Sequence, residues 1–118
     1  MADVRFTNSH GSRLYVAYMR LDHKCDFCGD PWDVLGWINL DPGETETRSN
    51  DTNNRWFYYY AESDDSTVWA GSFHAEVRQA QFEKCACLGI LIGGDLNPYH
   101  DIGMRELDLD RFGGVTFL

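Results

Sequence analysis

Apolar residues in this chain recur at every second position in short runs, and each run ends in a cluster of turn formers. Leu14, Val16 and Tyr18 fall on one face of an extended segment, with Tyr15, Ala17 and Met19 on the other. Val4 to Asn8 alternates in the same way and breaks at Asn8-Ser9-His10-Gly11-Ser12. Two short strands joined by a Gly-containing loop are expected to form a hairpin. Val34 to Leu40 resumes strand character, and Gly36 within it marks a bulge or a close backbone approach. Asp41-Pro42-Gly43-Glu44 is a turn with a mechanism, since Pro presets φ and Gly supplies positive φ. Thr45 to Arg48 is short and polar, as an edge strand would be.

The most demanding stretch is Arg55-Trp56-Phe57-Tyr58-Tyr59-Tyr60-Ala61-Glu62. Five consecutive rings lose χ1 freedom against a helical turn but stand comfortably off a pleated sheet. Alternation puts Trp56, Tyr58 and Tyr60 on one face and Phe57, Tyr59 and Ala61 on the other. Rings on both faces require packing on both sides, so this strand is expected at the centre of a sheet. After a turn at Ser63-Asp64-Asp65-Ser66, strand character returns over Thr67 to Phe73, and His74 to Glu83 is read as strand as well. Asp101 to Arg111, with Ile102, Met104, Leu107 and Leu109 among acids, reads as a short helix near the C-terminus or an irregular strand. Val115 to Leu118 reads as a terminal strand pinned in the sheet. Seven to nine short strands with turns at close intervals predict an all-β, antiparallel β-sandwich forming a single domain over residues 1–118.

Charge and composition narrow the function classes. The net charge of −9, from 19 acids against 10 bases, lacks the basic patch that nucleic acid or an anionic membrane surface requires. No apolar run approaches the roughly 18 residues of a membrane span. No basic segment followed by an apolar core opens the chain, so a cytoplasmic location is expected.

The order Gly36-Trp37, Asp41-Pro42-Gly43-Glu44, then Arg55 to Glu62 resembles a bacterial family of small domains of unknown function, the family numbered 1036. Val4-Arg5-Phe6-Thr7-Asn8 and the strand from Tyr15 to Tyr18 fit its opening, and the similarity spans about residues 4–85. Glu44 stands where that family tends to carry a Cys, so no family disulfide transfers to this chain. The resemblance implies a β architecture and no activity.

The chemistry-bearing constellation is made of cysteines. Cys25-Asp26-Phe27-Cys28-Gly29 is a C-x-x-C-G knuckle, Cys85-Ala86-Cys87 is a C-x-C pair, and together they use all 4 cysteines. Zinc takes four tetrahedral ligands, and a two-residue gap lets both sulfurs of a tight turn reach one ion. A structural zinc held by Cys25, Cys28, Cys85 and Cys87 is therefore expected, tying the irregular stretch from Asp22 to Asp33 to the second pair. Two disulfides, local or crossing between the pairs, and four free thiols are the competing readings. Four thiolates leave no open position for water, which argues against zinc catalysis.

The four histidines, His10, His23, His74 and His100, are scattered without a nucleophile motif and read as surface or satisfied residues. The acids of Ser63 to Ser66 and Asp22, Asp26, Asp30 and Asp33 read as solvated turn residues rather than a calcium loop. Among the aromatics, Trp32, Tyr58 and Tyr60 are the binding candidates, with Trp32, beside Pro31, expected to be the most exposed tryptophan. The function read from the sequence is a non-catalytic protein-interaction or accessory module recognising a protein partner. The alternative is an exported, disulfide-linked sandwich that binds carbohydrate or lipid.

Overall fold

The computed structural model describes residues 2–28, 32–50, 54–78, 82–85 and 99–118. Among them, in chain order, lie β1 (Ala2–Asn8), β2 (Leu14–Leu21), a 3-10 helix (His23–Cys28), β3 (Trp32–Leu40), β4 (Thr45–Asn50) and β5 (Trp56–Ser63). There follow β6 (Val68–Trp69), β7 (Phe73–Arg78), β8 (Phe82–Cys85), β9 (Tyr99–Asp108) and β10 (Gly114–Phe117). The chain is an all-β sandwich. A small sheet of order β10-β1-β4 packs on a large one of order β7-β9-β5-β2-β3-β8, with β6 joined to β5.

The aromatic strand sits where its sequence demands. β5 lies between β2 and β9, and both of its faces are covered. Phe57, Tyr59 and Ala61 join Leu14, Val16, Tyr18, Ile38 and Leu40 in the core between the sheets, which Val4, Phe6 and Phe117 close from the small sheet. Phe6 is at the middle of that layer, with ring centroids 6.0 Å from Tyr18, 6.1 Å from Phe57 and 6.3 Å from Phe117. On the opposite face Tyr58 and Tyr60 pack with Ala17, Met19, Val34 and Met104 in a second core. Its outer cover is β7, through Ala75 and Val77, because the large sheet curls until β7 meets β3.

Gly36 does mark a bulge. Val16 faces Ile38 but Ala17 faces Gly36, so Trp37 is the extra residue. One inserted residue reverses the parity of β3. Ile38 and Leu40 point into the core between the sheets, Trp37 and Val34 pack on the second core, and Leu35 returns to the first. The turn after β3 has Gly43 at φ 89° and Glu44 N–H donating to the Asp41 carbonyl at 2.9 Å, as its composition predicts.

Two expectations are corrected and one open reading is decided. β1 and β2 do not form a hairpin: β1 pairs with β4 and, in parallel, with β10, so the turn at 9–13 crosses from one sheet to the other. Buried Asn8 makes that crossing. Its Nδ2 donates to the carbonyls of Ser12 and Leu40, both at 2.9 Å, and its Oδ1 accepts from His10 N–H at 2.8 Å. Second, of the two readings of the C-terminal segment 101–108, helix or irregular strand, the strand holds, because it pairs with β7 through residues 99–104 and with β5 through residues 105–108. Third, strand character does not run continuously from Thr67 to Phe73. It stops after Trp69 and resumes at Phe73, with Gly71 between them crossing β9.

Candidate functional site

Where β2 ends, the chain does not turn straight back. Asp22 caps the 3-10 helix by accepting from Lys24 N–H at 3.0 Å, and its carbonyl accepts from Cys25 N–H at 3.0 Å. That turn drives Cys25 inward to complete burial and leaves the next aromatic, Phe27, 76% exposed. Cys25 is joined by a disulfide to Cys85, at the end of β8, with Cα atoms 5.4 Å apart at a sequence separation of 60. The two cysteine pairs of the sequence are thus brought together through one member each. The side chain of Cys28 and the whole of Cys87 lie outside the described residues, so the expected four-cysteine cluster can be followed only at Cys25 and Cys85.

The register of the large sheet sets a third group beside these sulfurs. Asp33 on β3 stands opposite Cys85 on β8 and opposite Arg20 on β2, so the three side chains share one face. A carboxylate oxygen of Asp33 and both sulfurs lie within 4.8 Å of one another. Asp33 is fully buried. Lys24 Nζ lies 3.1 Å from its Oδ2, and an Arg20 nitrogen 3.7 Å away. Neither oxygen of Asp33 meets strict hydrogen-bond geometry, but Lys24 and Glu83 both lie within hydrogen-bonding reach of the carboxyl. Lys24 meanwhile donates to Glu83, the neighbour of Asp33 across the β3–β8 ladder.

Burial, with Glu83 adding to it, pushes the Asp33 carboxyl up to about 7, against the opposing pull of Lys24. Glu83, more exposed and in contact with Asp33 and Lys24, moves the other way. Two carboxyls on adjacent strands are thus shifted in opposite directions. Sequence reading placed Asp33 among solvated turn acids. The signal it had was Asp33-Val34-Leu35, an acid at the entry of a strand, but which partners the register would set opposite it is not a local property.

The aromatic candidates divide between packing and rim. Trp32 is half-buried rather than free, meeting Tyr58 edge-on at 5.4 Å, and Trp37 meets Tyr60 at 6.0 Å. Tyr58 and Tyr60 are buried in the second core, and their hydroxyls reach its edge to donate to Glu106 and Glu62, each at 3.2 Å. Burial, aided by Glu62, pushes the Tyr60 phenol up to about 12, so it remains a donor at neutral pH. Among the described residues the most exposed aromatic ring is Phe27, which sequence reading did not single out.

One other polar cluster has residue types familiar from hydrolases. His10 Nε2 lies 2.6 Å from Asp65 Oδ2, and the Ser63 hydroxyl donates to the other oxygen of Asp65. The carboxylate therefore sits between Ser and His. A nucleophile needs the base in direct reach of its hydroxyl, and here that hydroxyl is engaged with the acid. His10 is further held edge-on against Trp69, at 5.2 Å. The cluster ties the 9–13 turn to the 64–66 turn. Of the turn acids, Asp26 contacts His23 at 3.3 Å and Asp64 accepts from the Tyr15 hydroxyl at 2.9 Å, while Asp30 lies outside the described residues.

Among the described residues no helix is long and apolar enough to cross a membrane. Comparisons with protein-family models, with curated proteins and with solved structures found no match.

Proposed function

We propose that this chain is a non-catalytic protein-interaction or accessory module that offers the excursion between β2 and β3 to a protein partner. One observation carries the reading: Phe27, 76% exposed, is two residues from a buried cysteine that is covalently anchored to β8. An aromatic ring held on a fixed backbone loses little conformational entropy when it docks, and such rings dominate interface energetics. Loops without an anchor must be ordered at the moment of binding. In a reducing compartment such as the cytoplasm, the anchor is a structural zinc drawn from Cys25, Cys28, Cys85 and Cys87. Membership of the family numbered 1036 belongs to the same proposal and adds no activity to it.

The test compares tagged wild type with Phe27→Ser in cells of the source organism. A partner recovered in stoichiometric amount with wild type and lost with Phe27→Ser, at an unchanged unfolding midpoint, supports the reading. Identical recoveries from both proteins overturn it. The Cys25–Cys85 bond also favours a second reading, an exported disulfide-linked module binding carbohydrate or lipid at the rim formed by Trp32, Tyr58 and Tyr60. Binding on a glycan or lipid array that is lost in Trp32→Ala would decide for it.

A further inference from the structure

We infer that the Cys25–Cys85 junction is the oxidised form of a zinc site in which Asp33 is the carboxylate ligand beside two thiolates. The inference rests on the zinc-binding part of the reading above, revises its ligand set, and is independent of any partner.

Geometry is the first support. Zinc–sulfur bonds of about 2.3 Å at the tetrahedral angle put neighbouring ligand atoms roughly 3.8 Å apart. In the disulfide-bonded structure an Asp33 oxygen already lies within 4.8 Å of both sulfurs. Once the sulfur–sulfur bond opens, side-chain rotation brings them to that spacing while the β3–β8 ladder keeps Asp33 opposite Cys85. Half-buried Cys85 marks the side from which a water completes the shell, since Cys25 and Asp33 are fully enclosed.

Asp33 itself is the second support. A fully buried carboxyl held by ion pairs to Lys24 and Arg20, with no well-aligned hydrogen bond to either oxygen, is costly, and native proteins seldom carry one without a reason. A divalent cation between Asp33 and the sulfurs satisfies it. Charge agrees as well. Two thiolates and one carboxylate exceed the two positive charges of the ion by one, and Lys24 Nζ stands 3.1 Å from the carboxylate to balance the remainder. Arg20 adds positive potential 3.7 Å away.

Conversion between the forms balances with a small-molecule disulfide as oxidant. The two cysteine thiolates give up two electrons and form the Cys25–Cys85 bond. The small-molecule disulfide takes those electrons and leaves as two thiolates, and the zinc ion is released. The excursion bearing Phe27 stays anchored in both states, by the ion in one and the covalent bond in the other.

The experiment uses the full chain, reduced with a non-thiol reductant, titrated with zinc against a chromophoric chelator and separately with cobalt(II). One zinc per reduced chain is expected, released on adding a small-molecule disulfide. Asp33→Asn should weaken zinc binding at least tenfold, whereas Cys28→Ser combined with Cys87→Ser should leave it unchanged. Undiminished affinity in Asp33→Asn overturns the proposal, as does loss of zinc in the double serine variant or no zinc uptake by the reduced wild type. Should Asp33→Asn fail to fold, the wild-type cobalt spectrum decides. Thiolate-to-cobalt charge-transfer intensity matching two sulfurs supports the site, and intensity matching four overturns it.

Discussion

Gly103 on β9 passes so close to Gly71 that a Cβ on Gly103 would lie 2.0 Å from the Gly71 carbonyl oxygen. The contact is mutual: Gly71 N–H donates to the Gly103 carbonyl at 3.0 Å, and a Cβ on Gly71 would lie 2.5 Å from the Met104 carbonyl oxygen. Here the connection from β6 to β7 crosses β9, and the crossing lets β7 swing over the second core. Both obstacles are backbone atoms, which cannot rotate away. Gly103→Ala is expected to cost about 2–4 kcal/mol, in the class of strained or overpacked substitutions. Gly11→Ala, where nothing lies within 4 Å, should change stability by less than about 0.5 kcal/mol. Chemical denaturation of the two variants checks the contrast, and equal effects would refute the crossing.

Asn8 should be among the most sensitive polar positions. Its amide joins the 9–13 turn to the end of β3, and its backbone joins both to the turn at Gly43 and Glu44, with Gly43 N–H donating to the Asn8 carbonyl at 2.7 Å. Asn8→Ala leaves the buried carbonyl of Leu40 without this donor, for an expected loss of about 2–4 kcal/mol. Asn8→Asp should be no better, because the carboxylate accepts at His10 N–H but cannot donate to Leu40 or Ser12. Urea midpoints of both variants measure this.

Opening the disulfide should lower stability through the unfolded chain. A cross-link closing a 60-residue separation removes loop entropy worth about 4 kcal/mol at room temperature. Cys25→Ala/Cys85→Ala in metal-free buffer should approach that loss relative to the oxidised wild type. Hydrogen exchange should speed up first over residues 22–28, where the bond is the main tether. A variant as stable as the oxidised protein would show that the junction bears little of the fold's stability.

In the oxidised protein, Asp33 makes stability depend on pH in an uncommon direction. The unfolded carboxyl releases its proton near 3.8, while the native one holds it to about 7. Between those values the native chain binds more protons than the unfolded chain, so stability falls as pH rises, by at most about 1.4 kcal/mol per unit. Glu83 beside it, shifted down, works in the opposite direction and offsets part of this, leaving a total on the order of 2 kcal/mol by pH 8. Asp33→Asn should flatten the decline. Unfolding curves of both oxidised proteins from pH 4 to 8 give the result, and parallel profiles would remove Asp33 as the cause.

Much of this molecule follows from local rules. A run of rings on alternating faces has to be a central strand, since no other arrangement keeps both faces from water, and β5 is one. The Pro-Gly turn, the bulge at Gly36 and the polar edge strand were each legible because they depend on one or two residues' backbone preferences. The cysteines were legible only in part: Cys25 and Cys85 meet in a disulfide crossing between the pairs, the competing reading rather than the expected zinc cluster. Other features were not local. Whether β1 pairs with β2 or crosses to another sheet depends on β4 and β10, which lie far along the chain. The segment 101–108 has a spacing that serves helix or strand, and only its neighbours β5 and β7 choose. Asp33 looks like any turn acid until the register puts Cys85 on one side of it and Arg20 on the other. Periodicity determines which residues must be hidden from water. Pairing, through hydrogen bonds between residues distant in sequence, determines what each hidden residue meets, and at Asp33 that meeting sets a buried carboxyl beside Cys85 and Arg20.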